Sequence, residues 1–497
     1  MKIDMKSLDE MENAVRVRLF SAFRDDGVFE GQLSDSALAA ALAAFALERG
    51  GRYTAARNGR AWLGRNQNAD GGWGDTAESP SNLATTLLTF CALRGNADSA
   101  VFVKHAEGWL SNRIGGLNPQ QIVNAVAAFY GADRTFAAPI LSVCAMSGLL
   151  GVEHKAWHYV MSLPFELACL PHSVYKWLRL PVVSYALPAL IAIGLARHRK
   201  CPAFLVPWWW LRNACVRTVL LKLKRIQPDS GGFLEAIPLT SFVALNLMVA
   251  DEKDSPVLKP CLDFLENGQG ADGGWPIDTN LASWTTSLAA SALAGKDTST
   301  DKKAWREKTL AYLLRVQQRG FHPFTNAAPG GWGWTYLSGA VPDADDTAAA
   351  LLALYALGRD DASVNSAAIA GIEWLLSLQN RDGGMPTFCR GWLNLPFDRS
   401  CPDITAHVLA AFATWLPKLP QLAPRLDQSI RRSIAYLACV QRTDGAWVPL
   451  WFGNQGAPNH ENPVFGTARV IESLTRLPRD MVPAALITTG EEWLVKA

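Results

Sequence analysis

Three carboxylates lie within four residues at Asp343-Ala344-Asp345-Asp346, and their spacing suits acid chemistry. The motif follows Pro342 and precedes the Ala- and Leu-rich segment 347–357, which predicts a helix that begins at the aspartates. Ionisation of all three carboxyls is unfavourable because their negative charges repel one another, so we expect the pKa of one carboxyl to be raised. A carboxyl that stays protonated near neutral pH in a dry, apolar site can transfer its proton to an alkene.

Two other interpretations of the three aspartates stay open. An aspartate at a helix start commonly caps the helix, because its side chain accepts a hydrogen bond from a free backbone N–H. Aspartate-rich motifs also bind Mg²⁺ for the ionisation of diphosphates. The sequence has no second Asp- or Asn-rich ligand set and no Cys/His spacing typical of zinc. We therefore predict an acid, with no metal and no organic cofactor.

A seven-residue segment, Gln67 to Trp73, recurs along the chain and indicates the fold. Further copies begin at Gln269, Gln379 and Gln441, and a looser copy ends at Trp332. The later copies stand 53 to 62 residues apart, which suits one helical hairpin each. Asp-Gly-Gly within the copies is a turn signal, since Gly adopts the positive φ that ends a helix. The sequence therefore predicts an all-α fold of α/α-barrel repeats, in which these motifs hold the hairpins together.

The repeats divide the chain into two predicted lobes. Residues 30–200 carry the first repeat and an apolar segment, and residues 201–497 carry the dense repeats and the acid motif. No Ser/Gly-rich linker separates them, so the boundary near residue 200 is soft.

The apolar segment 180–196 contains two prolines and permits two interpretations. It is at the lower length limit for a spanning helix, and prolines fit badly inside one, so a buried core helix is one interpretation. The other is a monotopic contact with a membrane, because a Trp cluster, Trp208-Trp209-Trp210, follows closely. Cations of the kind that accompany interfacial anchors lie between the two segments: Arg197, Arg199 and Lys200.

Composition excludes several classes of protein. The net charge of +2 gives no field that favours nucleic acid. Apolar residues make up 49% of the chain and charged residues only 19%. Trp is over-represented, at 19 residues, which suits an apolar cavity whose aromatic faces stabilise cations. The nine Cys include no CxxC pair, which indicates reduced thiols in the cytosol. We expect no signal peptide, since the N-terminus lacks an apolar run.

The repeats together with Pro342-Asp343-Ala344-Asp345-Asp346-Thr347-Ala348 closely resemble the class II terpene cyclases, and more narrowly the squalene–hopene cyclase family. In that family the repeats are QW motifs, and the second Asp of the DxDD motif donates the proton. The resemblance implies that Asp345, flanked by Asp343 and Asp346, starts the cyclisation of squalene or a similar isoprenoid. It also implies a monotopic homodimer on the cytoplasmic face of the membrane, since Leu163 to Pro171 resembles the family's membrane-facing substrate-access region.

Further site residues follow from the resemblance, position by position. The segment Asp403 to Val408 looks like the family's DVTAHV, in which the His hydrogen-bonds the acid. His407 is thereby expected to orient and activate Asp345, and Asp403 to support His407. Five aromatic residues match positions that face the substrate or its cations: Trp284, Trp334, Phe388, Trp451 and Phe465.

The sequence also departs from the family pattern. Thr285 stands where Asp is usual, Phe388-Cys389 replaces Tyr-Asp, Leu180 replaces a Trp, and Met385 replaces the Trp of one repeat. The chain ends at Ala497, where a further repeat is expected to begin. Two alternatives therefore stand beside a squalene cyclase. One is a class II diterpene cyclase acting on geranylgeranyl diphosphate, and the other is a truncated or non-catalytic lipid-binding toroid.

Overall fold

The protein is described here by a computed structural model that covers residues 5–31, 33–131, 137–171, 174, 187–202, 206–294, 303–323, 325–387 and 398–497. Over these ranges the regular structure consists of α-helices, short 3₁₀ turns and isolated β-bridges, so the predicted all-α class is confirmed. The described α-helices are, in chain order, α1 (Met5–Ser21), α2 (Ala37–Arg49), α3 (Tyr53–Arg65), α4 (Leu83–Leu93), α5 (Ala100–Ile114), α6 (Pro119–Tyr130), α7 (Ala137–Met146), α8 (Glu153–His158), α9 (Leu187–Lys200), α10 (Val206–Ile226), α11 (Ile237–Val249), α12 (Leu258–Asn267), α13 (Ala282–Leu293), α14 (Lys303–Val316), α15 (Ala344–Gly358), α16 (Ala362–Leu378), α17 (Pro402–Trp415), α18 (Ala423–Val440), α19 (Pro463–Leu474) and α20 (Ala484–Lys496).

The helices form two compact units, which we name by their main ranges. The 33–279 unit comprises Leu33–Thr279 and Leu337–Gly339, and the 280–497 unit comprises Met1–Gln32, Asn280–Tyr336 and Ala340–Ala497. The division differs from the boundary that we placed near residue 200. The reason is that α9, which ends at Lys200, packs against α11 and so joins the residues on both sides of that boundary.

The 33–279 unit is built around a closed ring of inner helices. The ring runs α2, α4, α7, α9 and α11, and α11 packs back against α2. Helices that face other helices on all sides must be apolar all round, and residues 39–47 of α2 are all buried. The described part of the apolar segment lies in α9, where Leu187 to Ala196 is largely buried, so these residues form a core helix. None of the described helices is both long and apolar enough to span a membrane.

The 280–497 unit repeats one hairpin pattern. Inner helices α13, α15, α17 and α19 each pack against the next, and the helices that follow them, α14, α16, α18 and α20, pack outside. Inner helices α13, α15 and α17 are rich in Ala, which lets their backbones approach closely, and α17 is buried along residues 402–412. The outer helices are amphipathic instead, since α18 buries only one stripe that includes Leu426, Ile430 and Leu437.

The recurring motifs join each hairpin to the next. The Gln379 amide donates to the carbonyls of Gly383 in its own turn, at 2.9 Å, and of Ser429 in α18, at 3.0 Å. Gln67, Gln269, Gln317 and Gln441 bond in the same way. The motif tryptophans donate their indole N–H to a carbonyl of the preceding helix, as Trp447 does to Leu437 at 2.8 Å. Buried polar groups are thereby satisfied, and neighbouring hairpins are tied through backbone atoms.

The structure contains two further copies of the motif that were not predicted from the sequence. Gln227 and Phe233 have the spacing of Gln67 and Trp73, and the Gln227 amide donates to Gly231 at 3.2 Å and Val257 at 3.0 Å. Residues 23–29 form the other copy without a Gln or a Trp, because the backbone N–H of Phe29 donates to the Thr286 hydroxyl at 2.9 Å. The first was detectable from its spacing, whereas the second shows only in the folded chain.

Replacing Gly383 by Ala should destabilise the 280–497 unit. Gly383 has φ +94°, and a Cβ there would lie 2.3 Å from the carbonyl oxygen of Arg432 in α18. Strain and overlap together should lower the free energy of unfolding by about 2–4 kcal/mol. Denaturant titration followed by circular dichroism measures this, with Gly320→Ala as the control, since nothing lies within 4 Å of a Cβ at Gly320. Equal midpoints for the two variants would contradict the role assigned to the turn.

Candidate active site

The acid motif begins the inner helix α15. Asp343 is the N-cap residue, with φ −135°, and its side chain accepts a hydrogen bond of 2.7 Å from the backbone N–H of Asp346. The backbone N–H of Asp343 donates in turn to the carbonyl of Trp332, at 3.0 Å, in one of the repeat motifs. Capping therefore describes Asp343, and the cap fixes where the next two aspartates point.

Asp343 and Asp346 form a buried carboxyl pair. Their exposed fractions are 3% and 6%, and the two side chains hydrogen-bond each other. Burial raises the pKa of Asp343 and of Asp346, and the negative charge of neighbouring aspartates adds to both increases. Two carboxylates this close cannot both ionise in a dry site, so the pair holds a proton at neutral pH.

Asp345 has different surroundings. A fifth of its side chain (20%) is exposed, and its Oδ1 lies 2.5 Å from Nδ1 of His407. Trp284 also hydrogen-bonds this carboxyl. Burial acts to raise the pKa of Asp345, but the charge and hydrogen bond of His407, the charge of Arg469 and the bond from Trp284 outweigh it, so the pKa is lowered. The increase that we expected from crowding thus falls on Asp343 and Asp346, and Asp345 is left as the stronger acid.

His407 is held by the inner helix α17. It is 4% exposed and follows Asp403 by one helical turn, so both side chains lie on the same face. Asp403 is 2% exposed, and burial raises its pKa. The structure thus brings Asp345 of α15 and His407 of α17 into contact, and the support of His407 by Asp403 stays a prediction.

Two neighbours of the acid were missed from the sequence. The thiol of Cys401 donates to Oδ1 of Asp403 at 2.7 Å and accepts a bond from the backbone N–H of Leu450 at 3.2 Å. Arg469 in α19 acts on Asp345 through its charge. Cys401 is the N-cap residue of the same helix and stands two residues before Asp403. This position was the signal in the sequence from which its contact with Asp403 could have been predicted. Nothing in the sequence places Arg469 beside Asp345.

The predicted aromatic residues have unequal relations to this cluster. The carbonyl of Trp334 accepts bonds from the backbone N–H groups of Ser283 and Trp284, at 3.0 and 3.2 Å. Trp451 follows Leu450, which bonds Cys401, and the Phe465 ring lies 5.1 Å from that of Phe452. Phe388 lies outside the described residues. Contact of these aromatic groups with a substrate stays a prediction.

The departures from the family pattern find structural explanations where they are described. The Thr285 hydroxyl donates to the carbonyl of Phe29 at 2.6 Å, so this position fastens the N-terminal copy of the motif. Met385 is fully buried in place of a Trp, and its backbone N–H donates to Thr405 at 2.9 Å, as the motif requires. Cys389 and Leu180 lie outside the described residues.

The cluster is arranged for proton transfer. One carboxyl, Asp345, is partly accessible and hydrogen-bonded to an imidazole, and two neighbouring carboxyls share a proton in a buried pair. Among the residues that the structure describes, no group of three or more His, Cys, Asp and Glu side chains is placed to hold a metal ion. The contact of Asp345 with His407 and the shared proton of Asp343 and Asp346 support the acid interpretation of the motif.

Comparison with known proteins gives consistent matches. Residues 280–497 match the model of the squalene-hopene cyclase C-terminal domain. The enfumafungin synthase of Hormonema carpetanum is 28% identical over 499 residues, which cover 83% of this chain and 35% of that protein. The squalene–hopene cyclase of Alicyclobacillus acidocaldarius is 29% identical over 286 residues, 53% of this chain and 42% of that protein. The matched regions thus span less than half the length of either relative.

A solved structure shows the same fold. The ent-copalyl diphosphate synthase from Streptomyces platensis aligns with a TM-score of 0.57 and 19% sequence identity, over 97% of this chain and 82% of that one. At this identity the likeness concerns the fold alone, and it confirms the predicted α/α-barrel repeats.

Proposed function

We propose that the chain, whose residues 280–497 match the model of the squalene-hopene cyclase C-terminal domain, is a class II terpene cyclase that cyclises a linear isoprenoid, and that Asp345 starts the reaction by protonating an alkene. The observation that carries this proposal is the 2.5 Å contact between Oδ1 of Asp345 and Nδ1 of His407, on a carboxyl that is still 20% exposed. A general acid must be accessible to its substrate, and its acidity must be adjusted by its neighbours.

The contact with His407 determines which oxygen carries the transferable proton. When Nδ1–H of His407 donates to Oδ1, the acidic proton resides on Oδ2 and points away from the imidazole. A carboxyl so polarised is a stronger acid than an isolated one, which protonation of a weakly basic alkene requires. With its pKa lowered, Asp345 is largely ionised in the free enzyme at neutral pH. Entry of an apolar substrate expels water and favours the neutral acid.

The neighbouring groups suit the cation that follows. After protonation, positive charge moves along the folded polyene, and water must be absent or it quenches the cation early. Aromatic faces stabilise a desolvated cation without attacking it, by about 1–2 kcal/mol each. Trp284 adjoins the acid through its hydrogen bond, and Trp334 adjoins Trp284 through its carbonyl. These two residues are therefore the first aromatic groups proposed to meet the new cation.

Squalene is the proposed substrate, and a polycyclic triterpene the proposed product. The reaction is an isomerisation, or a hydration–cyclisation if water ends it. The name of one curated relative, a squalene–hopene cyclase, supports squalene.

The substrate is tested by incubating the detergent-solubilised protein separately with squalene and with geranylgeranyl diphosphate. Products are extracted, the diphosphate products are treated with phosphatase, and all are read by gas chromatography with mass spectrometry. We expect a cyclic triterpene from squalene. Cyclic product from the diphosphate alone would contradict squalene and leave a diterpene cyclase. No product from either by folded protein would support the non-catalytic alternative.

We propose, second, that helix α10 lies on the cytoplasmic face of the cell membrane. Trp208, Trp210 and Leu211 at its start are 45%, 66% and 47% exposed, and Trp209 is 36% exposed. Three adjacent exposed Trp residues are rare on a protein surface that faces only water, whereas Trp is enriched at membrane interfaces. Arg217, Lys224 and Arg225 on the same helix add charges that attract anionic lipids.

Replacing Trp208, Trp209 and Trp210 together by Ser should weaken binding to vesicles of phosphatidylcholine and phosphatidylglycerol. Loss of three interfacial aromatic groups should reduce partitioning about 100-fold or more. Vesicle sedimentation measures it, and Tyr53→Ser, at a residue 69% exposed in α3, is the control. Equal partitioning of the two variants would contradict this membrane surface.

A further inference from the structure

Glu235 is a buried and conformationally strained acid that the proposed mechanism does not use. Its side chain is fully buried (0% exposed), and it follows Leu234 in the 3₁₀ turn between α10 and α11. Leu234 and Glu235 have φ of +56° and +54°, a conformation that costs a residue with a side chain about 1–3 kcal/mol. Two consecutive residues in this conformation, one of them with a buried carboxyl, indicate that the contacts of Glu235 compensate for the backbone strain and have a functional role.

The carboxyl of Glu235 binds a short segment distant in sequence. Its Oε1 accepts hydrogen bonds from the Ser230 hydroxyl, at 2.8 Å, and from the backbone N–H of Gly339, at 2.9 Å. Next to it, the Ser338 hydroxyl accepts a bond from the backbone N–H of Asp229, at 3.0 Å. Leu337–Gly339 and these partners belong to the same compact unit.

The fit at Gly339 is close enough to require a glycine. A Cβ at this residue would lie 2.5 Å from Oε1 of Glu235, inside any van der Waals contact. Oε2 of Glu235 is buried and has no hydrogen-bond partner among the described residues. Burial raises the pKa of Glu235. The described contacts thus use Oε1 of Glu235 as a hydrogen-bond acceptor for the segment.

The backbone of Glu235 holds a second segment. Its carbonyl accepts bonds from the backbone N–H of Thr279, at 3.1 Å, and from the Thr279 hydroxyl, at 3.3 Å. Thr279 leads along the chain into α13, which carries Trp284, and Gly339 leads within four residues to Asp343. One residue thus fastens the chain just before α13, which carries Trp284, and just before α15, which carries Asp345.

We propose that Glu235 is a positioning residue for the acid site. By fastening Leu337–Gly339 and Thr279, it limits the movement of the chain that leads to Asp343 and of the chain that leads to Trp284. Its effect on catalysis rests on the proposed function, whereas its effect on the segment does not. A displacement of about 1 Å at a reacting group costs up to about 100-fold in rate, so fastening of this kind has a measurable consequence.

The test compares Glu235→Ala, which removes the acceptor, with Glu235→Gln, which keeps an oxygen in the place of Oε1. Hydrogen–deuterium exchange of the intact protein, read by mass spectrometry on peptides spanning 333–343, reports the segment directly and needs no substrate. We expect exchange at Gly339 to quicken about tenfold or more in Glu235→Ala and to stay near the original rate in Glu235→Gln. Glu266→Ala, in the same unit and 38% exposed, is the control.

Turnover of the same variants gives the catalytic readout. We expect kcat to fall about tenfold in Glu235→Ala with KM little changed, and to recover in Glu235→Gln. Unchanged exchange in folded Glu235→Ala would overturn the proposal whatever the activity. Equal loss of protection in both variants would overturn it as well. If the original protein turns over neither isoprenoid, the proposed function fails while the exchange result still decides the role of Glu235.

Discussion

Replacing Asp345 by Asn should abolish cyclisation while the protein stays folded. The amide has nearly the shape of the carboxyl but cannot release a proton to an alkene, and general acid catalysis contributes up to about 10⁴-fold in rate. Because no other described group combines an exposed carboxyl with the His407 contact, we expect turnover to fall at least about 10³-fold. Product formation under substrate excess, read by gas chromatography with mass spectrometry, measures the loss.

Asp360→Asn is the matched control. Asp360 is 77% exposed on the same unit and contacts Lys418 at 2.7 Å, so its replacement should leave turnover unchanged. Circular dichroism and a thermal unfolding curve establish that both variants are folded. Turnover near the original rate in folded Asp345→Asn would show that another group protonates the substrate.

Replacing His407 by Ala should lower the rate about 100-fold and change its dependence on pH. The imidazole contacts the acid at 2.5 Å and is a main cause of the lowered pKa of Asp345. Its removal makes Asp345 a weaker acid, and Brønsted behaviour then predicts slower protonation of the alkene. Single-turnover rates over a range of pH separate this effect from substrate binding.

The direction of the pH change follows from the form of Asp345 that reacts. The protonated carboxyl is the active form, so the rate falls as pH rises through the pKa of Asp345. Without His407 that pKa rises, and the decline should move to higher pH although the plateau rate is lower. The same decline in both proteins, or a shift to lower pH, would contradict the assignment of His407 as the group that acidifies Asp345.

The sequence predicted the elements of the site better than their electrostatics. Crowding of three carboxylates predicted one raised pKa, and we assigned the proton donor to that acid. In the folded chain the cap turns Asp343 towards Asp346, and both pKa values rise by burial, whereas Asp345 faces His407 and its pKa falls. Local spacing cannot foresee this division, because it depends on a histidine 62 residues later in the chain.

The fold was predictable wherever a repeat kept its own residues. The structure contains the hairpins that four glutamines of the motif predicted: Gln67, Gln269, Gln379 and Gln441. The copy at residues 23–29 was not predictable, because it keeps only Asp26 and Gly27 of the motif, has Phe29 in place of the Trp, and is completed by Thr286 and Thr309 from distant helices. Such a repeat consists of backbone bonds to other elements, which a sequence pattern does not record.

The sequence likewise did not predict which of the two apolar segments is exposed, the Trp cluster or residues 180–196. Both segments are apolar, and hydropathy alone suits a core or an interface. Packing decides, since α9 lies within the inner ring and α10 outside it. The exposed aromatic residues therefore belong to α10, and the apolar residues 187–196 belong to the core.

Cyclisation in deuterium oxide tests the central claim most directly. The carboxyl of Asp345 exchanges its proton with solvent, so protonation of an alkene should place one deuterium at a carbon of the product and raise its mass by about 1 Da per initiation event. We predict this singly deuterated cyclic product from the original protein and none from Asp345→Asn. A cyclic product without carbon-bound deuterium, or one formed with release of inorganic diphosphate, would contradict initiation by Asp345.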